Sequence, residues 1–268
     1  MTFQGRENMT SGAVPSIALI PCAGKAVRLG KLGRSKELLR VSELLPGRPD
    51  APGIDTLLDL TLQNCSRVGV RRAVVPSRSQ KQDLLDNLAH DRRLDVCLSV
   101  VSIEQTNSVV ETVRAALPCI CGQHTLLMFP DILFLPIDAL AQAVDAYASS
   151  AADVVLGLIP TDRPAKYDMV SLGPTGRILD IHIKDPAAGH LRFGWSFAIW
   201  SPRFTQYCAA QLKRHGAPDP ETTHIGHLIR DAMHGGMVVD GVTFPDGIQL
   251  DLGTWDDLRR AQAMFSGE

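Results

Sequence analysis

The sequence contains no run of about 18 apolar residues, so no part of it is built to span a bilayer as a helix. It lacks an excess of either charge. Its 27 Lys and Arg against 29 Asp and Glu leave a net charge of −2, which gives no global case for a nucleic-acid partner. Anion recognition must therefore be local. Residues 1–15, MTFQGRENMTSGAVP, lack the apolar core of a signal peptide and read as a disordered lead-in. No internal repeat and no low-complexity segment is present. The cysteines at 22, 65, 97, 119, 121 and 208 match no standard zinc spacing. Several lie in apolar runs, which suggests reduced thiols in a cytoplasmic protein. Two phosphate-binding signatures, G-x-x-x-x-G-K-[ST] and G-x-G-x-x-G, are also missing.

A 45% hydrophobic content over 268 residues supports a full core. Short apolar runs such as SIALIPC, RRAVVPS, LDVCLSVVSI, TLLMFPD and ADVVLGLIP alternate with stretches at helical spacing. PIDALAQAVDAYASS is expected to be a helix with Pro136 in its first turn. This alternation predicts an α/β fold with a mostly parallel sheet covered on both faces. After residue 167 the pattern changes: DMVSLGPTGRILDIHIKD reads as a hairpin about its GPTG turn. The second half is expected to be an antiparallel elaboration of the same sheet. Residues 16–268 thus read as a single domain.

One loop stands out. PCAGKAVRLGKLGRSKELL, residues 21–39, carries five basic side chains and three glycines, with no acid before Glu37. Ligands of open parallel sheets bind where strands end and loops begin. Glycines let amide N–H groups approach a phosphate, which Arg28 and Lys36 could neutralise. The alternative is a flexible, solvated basic loop. Asp131 ends an apolar strand and Asp251 precedes a glycine turn; each could be an ordinary turn former, or the two could hold Mg²⁺ with substrate phosphates. His224 and His227, three apart, read as packing or surface residues.

IALIPCAGKAVRLGKLGRSKELLRV resembles the signature loop of the sugar-1-phosphate nucleotidyltransferases, G-G-x-G-T-R-L, a spacer, then P-K-x-L-L-P-V. In family order, EQTNSVVETV resembles the base-reading segment and FPDILF resembles G-D-N-x-F. IHIKDP resembles E-E-K-P, FGWSFAIWSP resembles T-G-x-Y-x-F, and LDLGTWDDLRRA resembles L-D-x-G-T-x-x-x-L-x-x-A. The resemblance implies a three-layer Rossmann-like fold, shared with GT-A glycosyltransferases, and transfer from an NTP to a sugar 1-phosphate. It further implies that Arg28, Lys36 and Lys184 act in catalysis, and that Asp131 and Asp251 hold Mg²⁺. Ala23, Gly24, Lys25, Gln105 and Ser108 would face the nucleotide, and Asp168, Lys184, Gly194 and Trp195 the sugar. The family leaves room for a homo-oligomer.

The sequence also departs from the family. Lys25-Ala26-Val27 replaces a small residue, glycine and threonine, and the spacer before Lys36 is shorter. The acid that usually precedes the E-E-K-P lysine is Ile183, and Asp168 stands where a glycine meets the sugar. Asp168 could supply the missing acceptor or block an ordinary hexose, so a modified sugar or sugar-like phosphate is expected. Two other activities stay open: a GT-A glycosyltransferase, and a catalytically silent regulator that binds sugar nucleotides.

Overall fold

The computed structural model describes residues 13–25, 27–30, 33–44, 54–90, 95–214 and 224–266. Most of the N-terminal lead-in, and Ala26, lie outside them. Among the described residues the strands run as β1 (Ile17–Leu19), β2 (Arg72–Arg78), β3 (Cys97–Ile103), β4 (Thr125–Leu127), β5 (Ile132–Leu135) and β6 (Val154–Pro160), then β7 (Met169–Leu172), β8 (Ile178–His182), β9 (Phe193–Trp200), β10 (Val239–Thr243) and β11 (Ile248–Asp251). The helices are α1 (Val41–Leu44), α2 (Leu57–Arg67), α3 (Gln82–His90), α4 (Val109–Ile120), α5 (Ala139–Ala148), α6 (Pro202–Arg214), α7 (Ile225–His234) and α8 (Trp255–Ser266). Among the described residues, no helix is long and apolar enough to cross a membrane.

The main sheet runs β10-β6-β9-β4-β1-β2-β3, with β7 and β8 attached through β9. All neighbours on this path pair in parallel except at β9, which is antiparallel to both β4 and β6. The antiparallel element is therefore inside the sheet and not confined to an appended margin. Its strand is buried at every position after Phe193, so its apolar content resembles that of its parallel neighbours and its direction is invisible in composition.

Side-chain alternation divides the core. Ile17, Leu19, Leu127, Val154, Leu156 and Trp200 face α4, α6 and α7. Ala18, Ile20, Leu126, Val155, Phe197 and Ile199 face α2, α3 and α5. With both faces covered, successive residues are all apolar, which is why these strands read as continuous runs. The helices supply one stripe each, such as Phe204, Cys208 and Leu212 at four-residue spacing on α6. Helix α2 begins at a reciprocal cap: the Thr56 side chain accepts from Asp59 N–H, and Asp59 accepts from Thr56 N–H.

Two local expectations change. The fourth strand ends at Leu127 and α5 begins only at Ala139, so Pro136 precedes the helix. Between them lies β5, which pairs antiparallel with β11 in a separate two-stranded sheet. That partner lies more than a hundred residues away, so no local pattern announces the pairing.

A Cβ on Gly157 would come within 2.2 Å of the Phe197 ring, and that ring is fully buried. Gly157→Ala should therefore cost about 1–3 kcal/mol of stability by overpacking, measured as a lower urea midpoint with an unchanged m-value.

Candidate active site

A cavity of about 510 Å³ opens at the carboxyl edge of β1 and β4, the edge where open α/β sheets bind ligands. Ala23, Gly24, Lys25, Arg28, Lys36, Ser108, Asp131, Asp168, Lys184, Trp195 and Asp251 all line it. Gln105 and Gly194 do not. Gln105 is exposed, and Asn107 lines the wall instead, with its Oδ1 accepting from Lys25 Nζ at 3.5 Å. A Cβ on Gly194 would face Thr161 and Tyr167 at 3.1 Å, so Gly194 permits close packing behind the wall. The Ser108 side chain accepts from Glu111 N–H and caps α4.

The pairing of β5 with β11 sets Asp251 opposite Ile132, and Leu252 N–H donates to Asp131 O at 2.8 Å. Asp131 and Asp251 are thus brought side by side, each with an ammonium partner. Lys36 bonds Asp131, and Lys166 Nζ lies 3.3 Å from Asp251 Oδ2. Burial would lift the Asp131 carboxyl, but Lys36 outweighs it and holds the group below its ordinary range. Asp251 moves the other way: burial and the neighbouring Asp131 raise it despite Lys166. Burial would likewise lower the Lys36 ammonium, yet Asp131 and Glu37 hold it above its usual value. Behind Asp251, Lys166 and Arg163 bind Asp257 at 2.5 and 2.6 Å. Burial opposes ionisation of Asp257, but Lys166, Arg163 and Thr254 bring it down to about 2.

Lys36 is held by residues on either side. Ser35 N–H and Oγ–H donate to Asp83 at 2.5 and 2.8 Å. Lys81 Nζ donates to both Glu37 oxygens at 2.8 Å and to Cys22 O at 2.7 Å. Glu37 is fully buried, and a buried charge of this kind persists only when paired. Arg28 sits in a short 3₁₀ turn, Val27–Leu29, which the Trp255 indole N–H ties to α8 by donating to Leu29 O at 3.0 Å. A Cβ on Gly253 would lie 2.9 Å from Arg28 Nη2 and 2.8 Å from Asp251 Oδ1, so glycine there lets the guanidinium approach the carboxylate. Gly30 and Gly33 adopt φ of 64° and 69°, the left-handed region that glycine enters without a Cβ clash.

At the far end, Lys184 holds φ 46°, strained for a residue with a side chain. Asp168 is 8% exposed, and its carboxyl is pushed up to about 6 by burial, against the pull of Lys184 and the nearby Trp195 indole. His224, just before α7, lines the same space. Burial, Lys184 and His227 lower its pKa to about 4, so the imidazole is neutral near pH 7. His227 Nδ1 accepts from His224 N–H at 3.0 Å. Trp200 is core, 1% exposed. His224, Lys166, Tyr167 and Asn107 were not expected as wall residues. Only the polar run before α4 and the KYD tripeptide hinted at three of them.

Among the described residues, no group of three or more His, Cys, Asp and Glu side chains could close around a metal. Asp131 and Asp251 do fit Mg²⁺, which takes one or two carboxylates and completes its shell with phosphate and water oxygens.

Residues 51–266 match the model of the nucleotidyl transferase family, and the chain belongs to that family. It is an enzyme of the nucleotidyltransferase class. The matched span begins after the basic loop, so the loop residues rest on geometry alone. No curated protein matches the sequence significantly. Many solved structures share the fold, the following three among them. One is assigned as a glucose-1-phosphate thymidylyltransferase from Bacillus anthracis, in complex with a sucrose (13% identity, TM-score 0.76, covering 93% of this chain and 95% of that one). Another is the inositol-1-phosphate CTP transferase from T. maritima (18%, 0.70, 92% of both chains). The third is a UDP-glucose pyrophosphorylase complexed with UDP-glucose (15%, 0.76, 94% and 99%).

The raised carboxyl of Asp168 makes a pH prediction. Because its folded pKa of about 6 exceeds the ordinary carboxylate value, its stabilising contribution is complete below about pH 4 and is lost as pH rises through about 6. The total is on the order of 3 kcal/mol, about half of it lost between pH 5 and 8. Urea unfolding should show Asp168→Asn gaining stability relative to the parent at pH 8 compared with pH 5.

Proposed function

We propose that the protein transfers a nucleotidyl group from a nucleoside triphosphate to a sugar 1-phosphate or sugar-like phosphate. The products are a nucleoside-diphosphate sugar and pyrophosphate. The observation that carries this is one cavity lined by Arg28, Lys36 and Lys184 together with the adjacent carboxylates Asp131 and Asp251. Cations at both ends suit two phosphorylated substrates brought nose to tail.

An oxygen of the acceptor phosphate attacks the α-phosphorus in line. The bond from that phosphorus to the bridging oxygen breaks, and pyrophosphate leaves with the electron pair. The nucleophile is already an anion, so no strong general base is needed. Lys184 holds the acceptor phosphate. Lys36 lies toward the α-phosphate and Arg28 toward the departing pyrophosphate, where negative charge grows. Asp131 and Asp251 would hold Mg²⁺, which when bound supplies further compensation of the triphosphate charge. Ala23, Gly24, Lys25 and Ser108 border the nucleotide, with Asn107 in the part expected of Gln105. Asp168 and Trp195 border the sugar, and Gly194 supports them from behind.

Incubation with Mg²⁺, each NTP and a panel of sugar phosphates should release pyrophosphate; binding without turnover would sink this assignment. Asp131→Asn should lower the rate at least about 10²-fold, with the far-UV circular dichroism unchanged. Arg28→Ala should lower kcat by about 10²–10³-fold while KM moves only a few-fold, because its charge is needed most as pyrophosphate departs.

A further inference from the structure

At the acceptor end of the cavity stands a buried carboxylate that its neighbours compensate only in part. Asp168 is 8% exposed, yet its Oδ1 has no hydrogen-bond partner among the described residues. The Trp195 indole N–H beside it has no partner within bonding geometry, though it and the Lys184 backbone N–H both ease the carboxyl's ionisation. Asp168 reaches the wall beside Ile183: a Cβ on Gly226 would lie 2.3 Å from Asp168 Oδ2 and 3.2 Å from Ile183 Cγ1. A carboxylate therefore stands next to the apolar side chain that occupies the usual position of the acid.

The surroundings favour a cation. Trp195, Phe129 and Tyr167 line the cavity around Asp168, and the Phe129 and Trp195 rings lie 5.9 Å apart between centroids. Aromatic faces attract cations, most strongly where water is displaced. The neighbouring His224 is neutral near pH 7 and does not compete for the site. Lys184 lowers the Asp168 carboxyl through its charge, but no ion pair joins them within 4 Å, so Lys184 stays available for a phosphate. A ligand with phosphate at one end and an ammonium group at the other matches this separation of charges. A neutral polyol could donate hydroxyl hydrogen bonds to the carboxylate, but only an ammonium group would also neutralise its buried charge.

We propose that the acceptor is a phosphate ester bearing an ammonium group, such as an aminosugar 1-phosphate, and that Asp168 determines this specificity. This rests on the nucleotidyl-transfer assignment above. Glucose 1-phosphate, glucosamine 1-phosphate and N-acetylglucosamine 1-phosphate make a matched set: hydroxyl, ammonium and acylated amine on one ring. Pyrophosphate release and calorimetric binding of each, with the full chain at pH 7, test the idea. Glucosamine 1-phosphate should exceed both others by about tenfold or more in kcat/KM and in affinity, roughly the value of one well-placed charge contact. In Asp168→Asn the preference should fall to within about twofold.

Equal or better use of glucose 1-phosphate by the parent chain would overturn the proposal while leaving nucleotidyl transfer intact. If none of the three released pyrophosphate with any NTP, the transfer assignment would fail for this acceptor set. Calorimetry would still decide the specificity: tighter binding of the amine supports it, and indifference overturns it. A preference that survives in a folded Asp168→Asn variant would also overturn the role of Asp168.

Discussion

The acidic edge of the cavity depends on one non-local pairing, the short antiparallel ladder between β5 and β11. It draws the segment after β4 and the segment before α8 together, so that Asp131 and Asp251 become neighbours. Two buried carboxylates at such range repel each other. The repulsion is tolerated because each has an ammonium partner, Lys36 on one side and Lys166 on the other. Their responses differ: Asp131 is held ionised and Asp251 is pushed up. The ladder thus sets both the geometry of the acidic pair and its readiness to accept a cation.

The basic loop would be costly without that acidic pair and its own anchors. Lys36 has its charge answered by Asp131, while Ser35 and Glu37 on either side are fastened to Asp83 and Lys81. The apolar residues Leu29, Leu39, Val41 and Leu44 pack with Leu250, Leu252 and Leu258. That cluster joins the loop to β11 and α8, so Arg28 and Asp251 are positioned by the same small core. The strained backbone of Lys184 and the buried carboxyl of Asp168 concentrate unrelieved free energy at the opposite end.

Much of this was legible in the sequence because the strands are short, doubly buried apolar runs separated by amphipathic helices. The loop cations, Asp131, Lys184 and Asp251 could be picked out from motif order. Three things were not legible. The direction of β9 leaves no compositional trace, since a strand buried on both faces looks alike either way. The wall role of Asn107, two residues from Gln105, depends on how the chain turns into α4 after Thr106. The presence of Lys166, Tyr167 and His224 in the cavity depends on loops that meet only after the sheet has formed.

The sequence by itself determined the layered α/β architecture and the charge types available for the site, because burial periodicity and local charge are properties of neighbouring residues. Only the tertiary structure decided which carboxylates meet, which lysine neutralises which, and that Asp168 stands beside Ile183. Those outcomes depend on pairing between segments far apart in the chain. There, free energy is set by geometry and desolvation that no local stretch of sequence contains.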